Sequence, residues 1–236
     1  MDPQEVTGLA KKVWARYKLA EPTKRILIGI AGIPGAGKTT LARRVVDELK
    51  AIQLAEDGTA DGDFVTDIPM DGYHLTRAQL AAMPDPEMAT HRRGAAFTFD
   101  GEGFLALLQK LSLPVEEDSG AQGTVTIYAP SFDHAVKDPV ADSIPISPKT
   151  RIVIIEGNYL ALDREPWKSA ASLLDEIWFA NVDREVARER LAKRHVEAGI
   201  VPDEEAARER IRTTDFLNAD DIEQNLLPVS ERVRCG

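Results

Sequence analysis

The sequence predicts an α/β fold in which a mostly parallel five-stranded sheet is covered by helices on both faces. Two near-continuous apolar runs, at residues 25–31 and 151–155, are typical of strands buried on both faces. Segments with apolar residues at helical spacing alternate with such runs, which is the pattern of a doubly covered parallel sheet. The 236 residues are long for one domain and short for two. We therefore expect one domain, residues 1–236, with an N-terminal helix within 1–22 and a helical lid within 184–215.

Charge and composition argue against several classes of function. The net charge of −10 leaves no basic excess to displace phosphate counterions, so we expect no broad nucleic-acid binding. No apolar run approaches the length of a membrane span. The first residues, MDPQE, lack the form of a signal peptide, and the single cysteine, Cys235, permits no intrachain disulfide. These observations predict a cytosolic or nuclear protein, of which we expect the cytoplasmic location, without nucleic-acid or membrane partners.

Residues 32–39, GIPGAGKT, fit the phosphate-binding pattern G-x-x-x-x-G-K-[ST]. Gly35 and Gly37 can adopt positive φ and carry no Cβ, so backbone N–H groups can converge on phosphate oxygens. Lys38 supplies a charge for the β- and γ-phosphates, and the Thr39 hydroxyl can ligate Mg²⁺. The alternative is a plain glycine-rich turn, which the flanking strand and helix disfavour. The residues predicted to bind the nucleotide are Gly32, Ile33, Pro34, Gly35, Ala36, Gly37, Lys38, Thr39 and Thr40.

The pattern of helices and strands continues on both sides of this loop. Residues 4–19 carry an apolar stripe at helical spacing, which predicts a helix packed on the sheet. A second helix follows the loop to about residue 55, and an acidic, glycine-containing loop follows at 56–63. The next predicted elements are a strand at 64–70, a short helix at 76–83, a polar and basic segment at 87–100, an amphipathic helix at 103–113, a polar turn at 114–123 and a strand or strand arm at 124–128.

Residues 129–150 contain four prolines and little periodicity, so we expect a long loop. Loops of this length are uncommon in compact domains and often functional. After the strand at 151–155, the predicted elements are a helix at 167–174, a strand at 176–182, a helix from its N-cap Asp183 to 198, a helix at 202–217 and a last short strand within 226–233. Gly199 is a suitable helix stop and hinge.

Candidate functional residues follow three of the predicted strands, at the edge where parallel sheets bind ligands: the phosphate-binding loop follows the strand at 25–31, and two carboxylates follow the other two. Asp71 follows the strand at 64–70 and could take the proton of an acceptor hydroxyl. Alternatively it caps the next helix. Glu156 follows the strand at 151–155 and could hold the Mg²⁺ shell through water or bind substrate. Alternatively, nearby backbone amides satisfy its carboxylate. The predicted metal ligands are therefore Thr39 and Glu156.

Further polar side chains could line an acceptor pocket. Arg92 and Arg93 could bind an anionic or polyhydroxyl acceptor, although such pairs are often simply solvated. The four histidines show no metal-ligand spacing, so we expect no zinc site. The residues predicted to bind the acceptor are Asp71, Tyr73, His74, Arg92, Arg93, Tyr128, Asp133, His134, Glu156, Asn158 and Tyr159.

The helix at 183–198 carries arginines four residues apart. Arg190 and Arg194 could form a lid that closes on ATP and places a guanidinium over the transferring phosphoryl group. The alternative is a solvated basic face paired with neighbouring glutamates. With Asp71 and Lys38, these two arginines are the predicted catalytic residues.

These segments together resemble the phosphoribulokinase/uridine kinase family of P-loop kinases, which includes the bacterial type of pantothenate kinase. The resemblance covers about residues 25–225. The segments that carry it are 32–40, 70–74, 92–94 with 99–100, 128–134, 156–160 and 190–195. Two of them, 92–94 and 128–134, look most like a fungal ATP-dependent kinase-like branch.

The resemblance implies a three-layer P-loop NTPase fold, ATP and Mg²⁺ as cofactors, and specific residue roles. Asp71 would be the catalytic base, Thr39 and Glu156 would serve Mg²⁺, and Arg190 or Arg194 would reach the phosphates. The acceptor segments depart from both the uridine kinase and the pantothenate kinase patterns, so the acceptor stays open. Dimers are common among such relatives, and a homodimer is a further expectation.

The sequence thus predicts a kinase that transfers the γ-phosphoryl group of ATP to a hydroxyl of a small metabolite such as a nucleoside, a pantothenate-like alcohol or a sugar. One alternative is a GTPase-type switch, whose guanine-reading Asn-Lys-x-Asp segment is absent. Another is a nucleotide-binding regulatory protein without an acceptor, against which the intact Lys38, Thr39, Asp71 and Glu156 argue.

Overall fold

The structure, a computed structural model, describes residues 1–58, 62–115 and 125–236. Its strands are β1 (Ile26–Ala31), β2 (Val65–Pro69), β3 (Ile127–Asp133), β4 (Asp138–Ile146), β5 (Ile152–Gly157), β6 (Glu176–Asn181) and β7 (Glu231–Arg234). Five of them form a parallel sheet in the order β2-β5-β1-β6-β7. The prediction of a mostly parallel five-stranded sheet, including its short last strand, is confirmed.

Helices cover this sheet. They are α1 (Pro3–Leu19), α2 (Lys38–Asp57), α3 (Arg77–Ala81), α4 (Pro86–His91), α5 (Gly101–Ser112), α6 (Trp167–Ala171), α7 (Arg184–Glu197), α8 (Glu204–Arg210) and α9 (Phe216–Gln224). Every residue of β1 and β5 is buried, which requires cover on both faces of the sheet. Helix α1 packs against α2, and α5 packs against α6. The apolar strands therefore lie in the middle of one large hydrophobic core.

The register of the sheet brings three strand ends to the same level. Ile30 of β1 and Pro69 of β2 are both paired with Glu156 of β5. Because the three strands run parallel, the loops that follow them leave from one edge of the sheet. This edge is where the predicted functional segments meet.

The prediction of a long loop at residues 129–150 is wrong, because β3 and β4 form an antiparallel hairpin there. Three prolines lie within these strands, and the pairing register shifts between Ala129 and Ser131. Proline is tolerated because each strand of a two-stranded sheet has a free edge. The prolines and the shift also obscure the alternation that would have predicted strands.

The predicted helix at 202–217 is interrupted. Helix α8 ends at Arg210, a π-helical turn spans Ile211–Asp215, and α9 continues from Phe216. Helices α7 and α8 share a small apolar cluster with the π-helical turn, separate from the main core and centred on Leu191 and Ala207. Gly199 has a φ of 59° just after α7, as expected of a helix stop.

Some predictions fall on chain that the structure does not describe. Most of the polar turn predicted at 114–123 lies outside the described residues, as do the middle of the 56–63 loop and Thr124. Within the described ranges, none of the helices is both long and apolar enough to cross a membrane.

Candidate active site

The phosphate-binding loop connects β1 to the N-terminus of α2. Gly35 and Gly37 adopt φ values of 79° and 89°, as the sequence predicts, and Gly37 is the N-cap of α2. A Cβ at Gly35 would lie 2.8 Å from the Ala187 carbonyl oxygen of α7. Helix α2 is twenty residues long and begins directly after Gly37, so its N-terminal amides face the loop. This arrangement favours bound anions.

Lys38 lies at the centre of the loop with its ammonium group held by oxygens. Its Nζ donates to the Gly32 and Ile33 carbonyls at 3.1 and 3.0 Å and to Asn158 Oδ1 at 2.7 Å. Burial lowers the pKa of Lys38 to about 8, although Glu156 and Asp71 oppose the shift. The side chain is thus fixed beside the sheet edge before any phosphate arrives.

Thr39 and Glu156 are brought together from different elements. The Thr39 hydroxyl donates to Glu156 Oε1 at 2.7 Å, and burial raises the pKa of the Glu156 carboxyl. Hydroxyl and carboxylate oxygens are ligands of the kind that Mg²⁺ takes in proteins. The described residues contain no cluster of three or more His, Cys, Asp or Glu that could hold a metal, so a cation here would draw its other ligands from phosphates and water.

Asp71 lies in a 3₁₀ turn, Met70–Tyr73, immediately after β2. Its side chain is half exposed. Two close backbone approaches fix the turn: a Cβ at Gly72 would overlap the Pro130 carbonyl of β3, and one at Gly157 would overlap Met70. Asp71 is therefore not a helix cap, since Thr76 caps α3.

His74 supports the same turn from its C-terminal end. Its Nδ1 lies 2.9 Å from the Asp71 carbonyl oxygen, and its ring packs on Phe99 and Phe132 at centroid distances of 4.0 and 5.0 Å. Burial lowers the pKa of His74, so the neutral ring is favoured near pH 7. A carbonyl can only accept, and Nδ1 must therefore carry the proton, which leaves Nε2 as an acceptor.

Two cavities adjoin at this turn. One, of about 370 Å³, is lined by the phosphate-binding loop, and the other, of about 490 Å³, by the β3–β4 hairpin and the α7–α8 segment. Asp71, His74, Arg93 and Arg194 line both. The predicted site residues that line only the first, the nucleotide cavity, are Pro34, Gly35, Gly37, Lys38, Thr39, Thr40, Glu156, Asn158 and Arg190.

Two predicted acceptor ligands belong to the hydrophobic core instead. Tyr73 is buried with its ring edge against Phe104, and Tyr159 is buried with its hydroxyl donating to the Gly94 carbonyl at 2.6 Å. Neither tyrosine lines the two cavities. The structure thus places both side chains in the core and away from the two cavities, which does not support the predicted contact with substrate.

Three other predicted acceptor residues do not line the cavities either. The Arg92 guanidinium donates to Asn218 Oδ1 at 3.0 Å, which places it behind the nucleotide cavity. Tyr128 is half exposed on β3, and Asp133 caps the hairpin turn by accepting from the Ala135 amide at 2.8 Å. His134, in contrast, lines the second cavity.

The two predicted lid arginines differ in their contacts. Arg190 Nη1 donates to the Cys235 carbonyl at 2.8 Å, which ties α7 to the residue after β7. The guanidinium of Arg194 forms no hydrogen bond or ion pair with the residues that the structure describes. Of the two, Arg194 is free to contact a ligand, and it lines both cavities.

Several cavity residues were missed from the sequence. Gly94, Gly157, Asp215 and Asn218 complete the nucleotide cavity, and residues including Phe132, Lys137 and Arg210 line the second. Asn218 is a buried polar residue on α9, but helical periodicity alone does not distinguish it from a satisfied core amide. Arg210 precedes the π-helical turn, which no sequence pattern predicted.

Comparisons with known proteins agree with this geometry. The model of the phosphoribulokinase/uridine kinase family matches residues 27–198. The chain is 63% identical over 164 residues to the ATP-dependent kinase-like protein notR' of Aspergillus versicolor, covering 70% of this chain and 92% of that protein. It is 38% identical over 227 residues to a uridine kinase-like protein of Schizosaccharomyces pombe, covering 96% and 90%.

Among solved structures, YFH7 of Saccharomyces cerevisiae superimposes with a TM-score of 0.82 at 26% identity, covering 99% of both chains. The family match spans most of this chain, and both sequence relatives exceed 30% identity. The phosphate-binding loop, the fold and these similarities agree: the chain belongs to the phosphoribulokinase/uridine kinase family of P-loop kinases.

Proposed function

We propose that this kinase transfers the γ-phosphoryl group of ATP, with Mg²⁺, to a hydroxyl group of a small metabolite. The observation that carries the proposal is the position of Asp71. Its half-exposed carboxylate lines both cavities, so it can face a nucleotide on one side and a second molecule on the other. A kinase for a small acceptor needs a proton-accepting group at such a junction.

On the nucleotide side, this chain's contribution is positioning and charge. The N-terminal amides of α2 and the Lys38 ammonium would bind the phosphates, and the unpaired Arg194 would stabilise charge on the transferring group. Thr39 and Glu156 would hold Mg²⁺. When bound, Mg²⁺ would neutralise charge on the phosphate oxygens.

On the acceptor side, Asp71 would act as the base. The acceptor hydroxyl oxygen attacks the γ-phosphorus while the bond to the β–γ bridging oxygen breaks and ADP leaves. The hydroxyl proton passes to the Asp71 carboxylate. The hydrogen bond from His74 Nδ1 to the Asp71 carbonyl would hold the turn in place during this step.

The α7–α8 segment would act as a lid over both molecules. It carries Arg190 and Arg194 on α7, whose Ala187 packs in the main core, whereas Leu191 of α7 and Ala207 of α8 share a small separate cluster. Gly199 provides a hinge of low steric cost between α7 and α8. Closure would exclude water and so limit hydrolysis of ATP.

The acceptor remains open to nucleosides, pantothenate-like alcohols and sugars, and a cytoplasmic location and a homodimer remain expectations. A regulatory protein that binds the nucleotide without an acceptor is the alternative. The two are separated by measuring ADP release with and without a pool of candidate acceptors. Acceptor-dependent release supports the kinase, whereas slow release that no acceptor changes supports the regulator.

Asp71→Asn tests the chemical step directly. The amide is of similar size but cannot take the proton, so kcat should fall about 10²–10⁴-fold, the usual range for a lost general base. ADP affinity, measured by calorimetry, should stay near that of the unmodified protein. The matched control is Asp142→Asn, an exposed hairpin position, which should leave kcat unchanged. Equal turnover in Asp71→Asn would remove Asp71 from the mechanism.

A further inference from the structure

Four lysine and arginine side chains line the second cavity, beside histidine and apolar residues. Arg93, Lys137, Arg194 and Arg210 line it, and within the described ranges Asp71 is the only carboxylate that does so. The whole chain carries a net charge of −10. The positive charge of this cavity therefore does not follow from the overall charge of the protein, and we look for its reason in the residues around the cavity.

Three of these four cations have no partner among the residues that the structure describes. Arg93 is paired with Asp138, whose Oδ1 lies 3.1 Å from its Nη2. For Lys137, Arg194 and Arg210, in contrast, the side-chain nitrogens form no hydrogen bond or ion pair with any described residue. Arg210 Nε is moreover buried without an acceptor. Burying such a donor costs free energy unless a ligand satisfies it.

The same helices show that acidic partners are available elsewhere. Four arginines of α7, α8 and the π-helical turn lie outside the second cavity and form ion pairs. The pairs are Arg184 with Asp220, Arg188 with Glu185, Arg208 with Glu204 and Arg212 with Glu209. Arg210 lies between two of these paired arginines on the chain, yet its side chain has no partner within the described part of the chain. The unpaired cations are therefore concentrated on the surface that faces the cavity.

We propose that the acceptor carries an anionic group, a carboxylate or a phosphate, which Lys137 and Arg210 bind while its hydroxyl group faces Asp71. This inference rests on the proposed function and specifies its substrate class. Arg194 lines the nucleotide cavity as well, so it is assigned to the transferring phosphoryl group. A neutral acceptor would leave Lys137 and Arg210 unpaired, whereas charge-assisted hydrogen bonds to an anion satisfy both.

The test uses two series of related acceptors, each with a neutral member, a carboxylate and a phosphate ester. ADP release by the full chain would be measured with glycerol, glycerate and glycerol 3-phosphate, and with ribose, ribonate and ribose 5-phosphate, within a wider panel of charged and neutral metabolites. We expect turnover with anionic members and none with their neutral counterparts. The comparison of acid with phosphate ester identifies which anion the cavity prefers.

Variants then assign the charge to its residues. Lys137→Ala and Arg210→Ala should each raise KM for the anionic acceptor about 10–100-fold, as expected for a lost hydrogen bond to a charged group. KM for ATP should change less than twofold. Arg210→Lys should recover part of the loss. Arg208→Ala removes an exposed arginine that is paired with Glu204, and it should match the unmodified protein.

Each outcome separates the two proposals. Turnover of a neutral acceptor with the same kcat/KM in the unmodified protein and both alanine variants would overturn the anionic assignment and support the kinase. Turnover of an anionic acceptor that neither variant affects would overturn the roles of Lys137 and Arg210. No acceptor-dependent ADP release from any panel member would overturn the proposed function, and the assignment with it.

Discussion

The nucleotide side and the acceptor side of this cleft are organised in opposite ways. On the nucleotide side, one contiguous loop supplies most of the groups, and they satisfy one another: Lys38 is held by two loop carbonyls and Asn158, and Thr39 by Glu156. On the proposed acceptor side, distant segments meet, and cations such as Arg210 have no partner among the described residues. The difference indicates that the first side is preorganised for a common ligand, whereas the second depends on its own ligand for satisfaction.

Among substitutions that compare the two sides, the largest effect should come from the centre of the nucleotide side. Lys38→Ala removes a charge that acts on the transferring group, so kcat should fall about 10²–10³-fold, as for a lost transition-state donor. The affinity for ADP should fall as well, since the lysine also binds the ground state. Steady-state kinetics and calorimetry measure the two effects. Lys50→Ala, about three turns further along α2, should change neither.

The pH dependence of ADP binding offers a second measurement of Lys38. Because burial lowers its pKa to about 8, the ammonium is charged below pH 8 and loses its proton as the pH rises through 8. The ADP dissociation constant should therefore be flat below pH 8 and rise above it, by up to about tenfold per pH unit. Lys38→Ala should lack this rise. If the variant keeps it, another group is responsible, and the central role of Lys38 in nucleotide binding is wrong.

A substitution at the junction should affect the acceptor side selectively. In Gly72→Ala the new methyl group would overlap the Pro130 carbonyl of β3, so the hairpin and the Asp71 turn must move apart. Overpacking of this kind lowers the free energy of unfolding by about 1–3 kcal/mol. KM for the acceptor should rise while ADP affinity is kept. If the affinity for ADP falls together with the affinity for the acceptor, the two sides of the cleft do not act independently.

Gly8→Ala is the matched control for Gly72→Ala. Gly8 lies within α1, and a Cβ there would contact nothing within 4 Å. Alanine in the interior of a helix is more stable than glycine by about 0.5–1 kcal/mol. Urea unfolding should therefore show opposite signs for the two glycine substitutions, and the kinetic constants of Gly8→Ala should not change.

The sheet could be predicted because its signals are local. The strands at 25–31 and 151–155 are runs of apolar residues, and the loop at 32–39 is a contiguous motif, so both are visible without tertiary contacts. The hairpin at 127–146 could not be predicted in this way. Its prolines and its register shift conceal the alternation of a strand, and only pairing between the two segments defines it.

The site divides along the same line. Lys38, Thr39, Asp71 and Glu156 meet as the parallel-strand rule predicts, because strand ends determine where backbone segments go. That rule does not determine which way each following side chain points. Tyr159, three residues after Glu156, therefore looks from the sequence like a substrate ligand, whereas its ring lies in the core. The sequence likewise does not predict that the cavity cations lack partners, because this depends on the packing of all neighbouring helices and strands.

The smallest expected effect tests whether Tyr159 is structural. Tyr159→Phe keeps the ring among Phe99 and Trp167 but removes the hydroxyl that donates to the Gly94 carbonyl at 2.6 Å. The free energy of unfolding should fall by about 0.5–1.5 kcal/mol, the net value of a typical hydrogen bond. Because Tyr159 lines neither cavity, kcat and both KM values should stay unchanged.

The control for Tyr159→Phe is Tyr17→Phe, since the Tyr17 ring packs on Trp14 and Phe64 and its hydroxyl makes no hydrogen bond with a described residue. Its free energy of unfolding should change by less than that of Tyr159→Phe. A Tyr159→Phe protein that kept full stability but had a raised KM for the acceptor would reverse the assignment. The Tyr159 hydroxyl would then bind substrate, and the acceptor site would extend beyond the two cavities into the hydrophobic core.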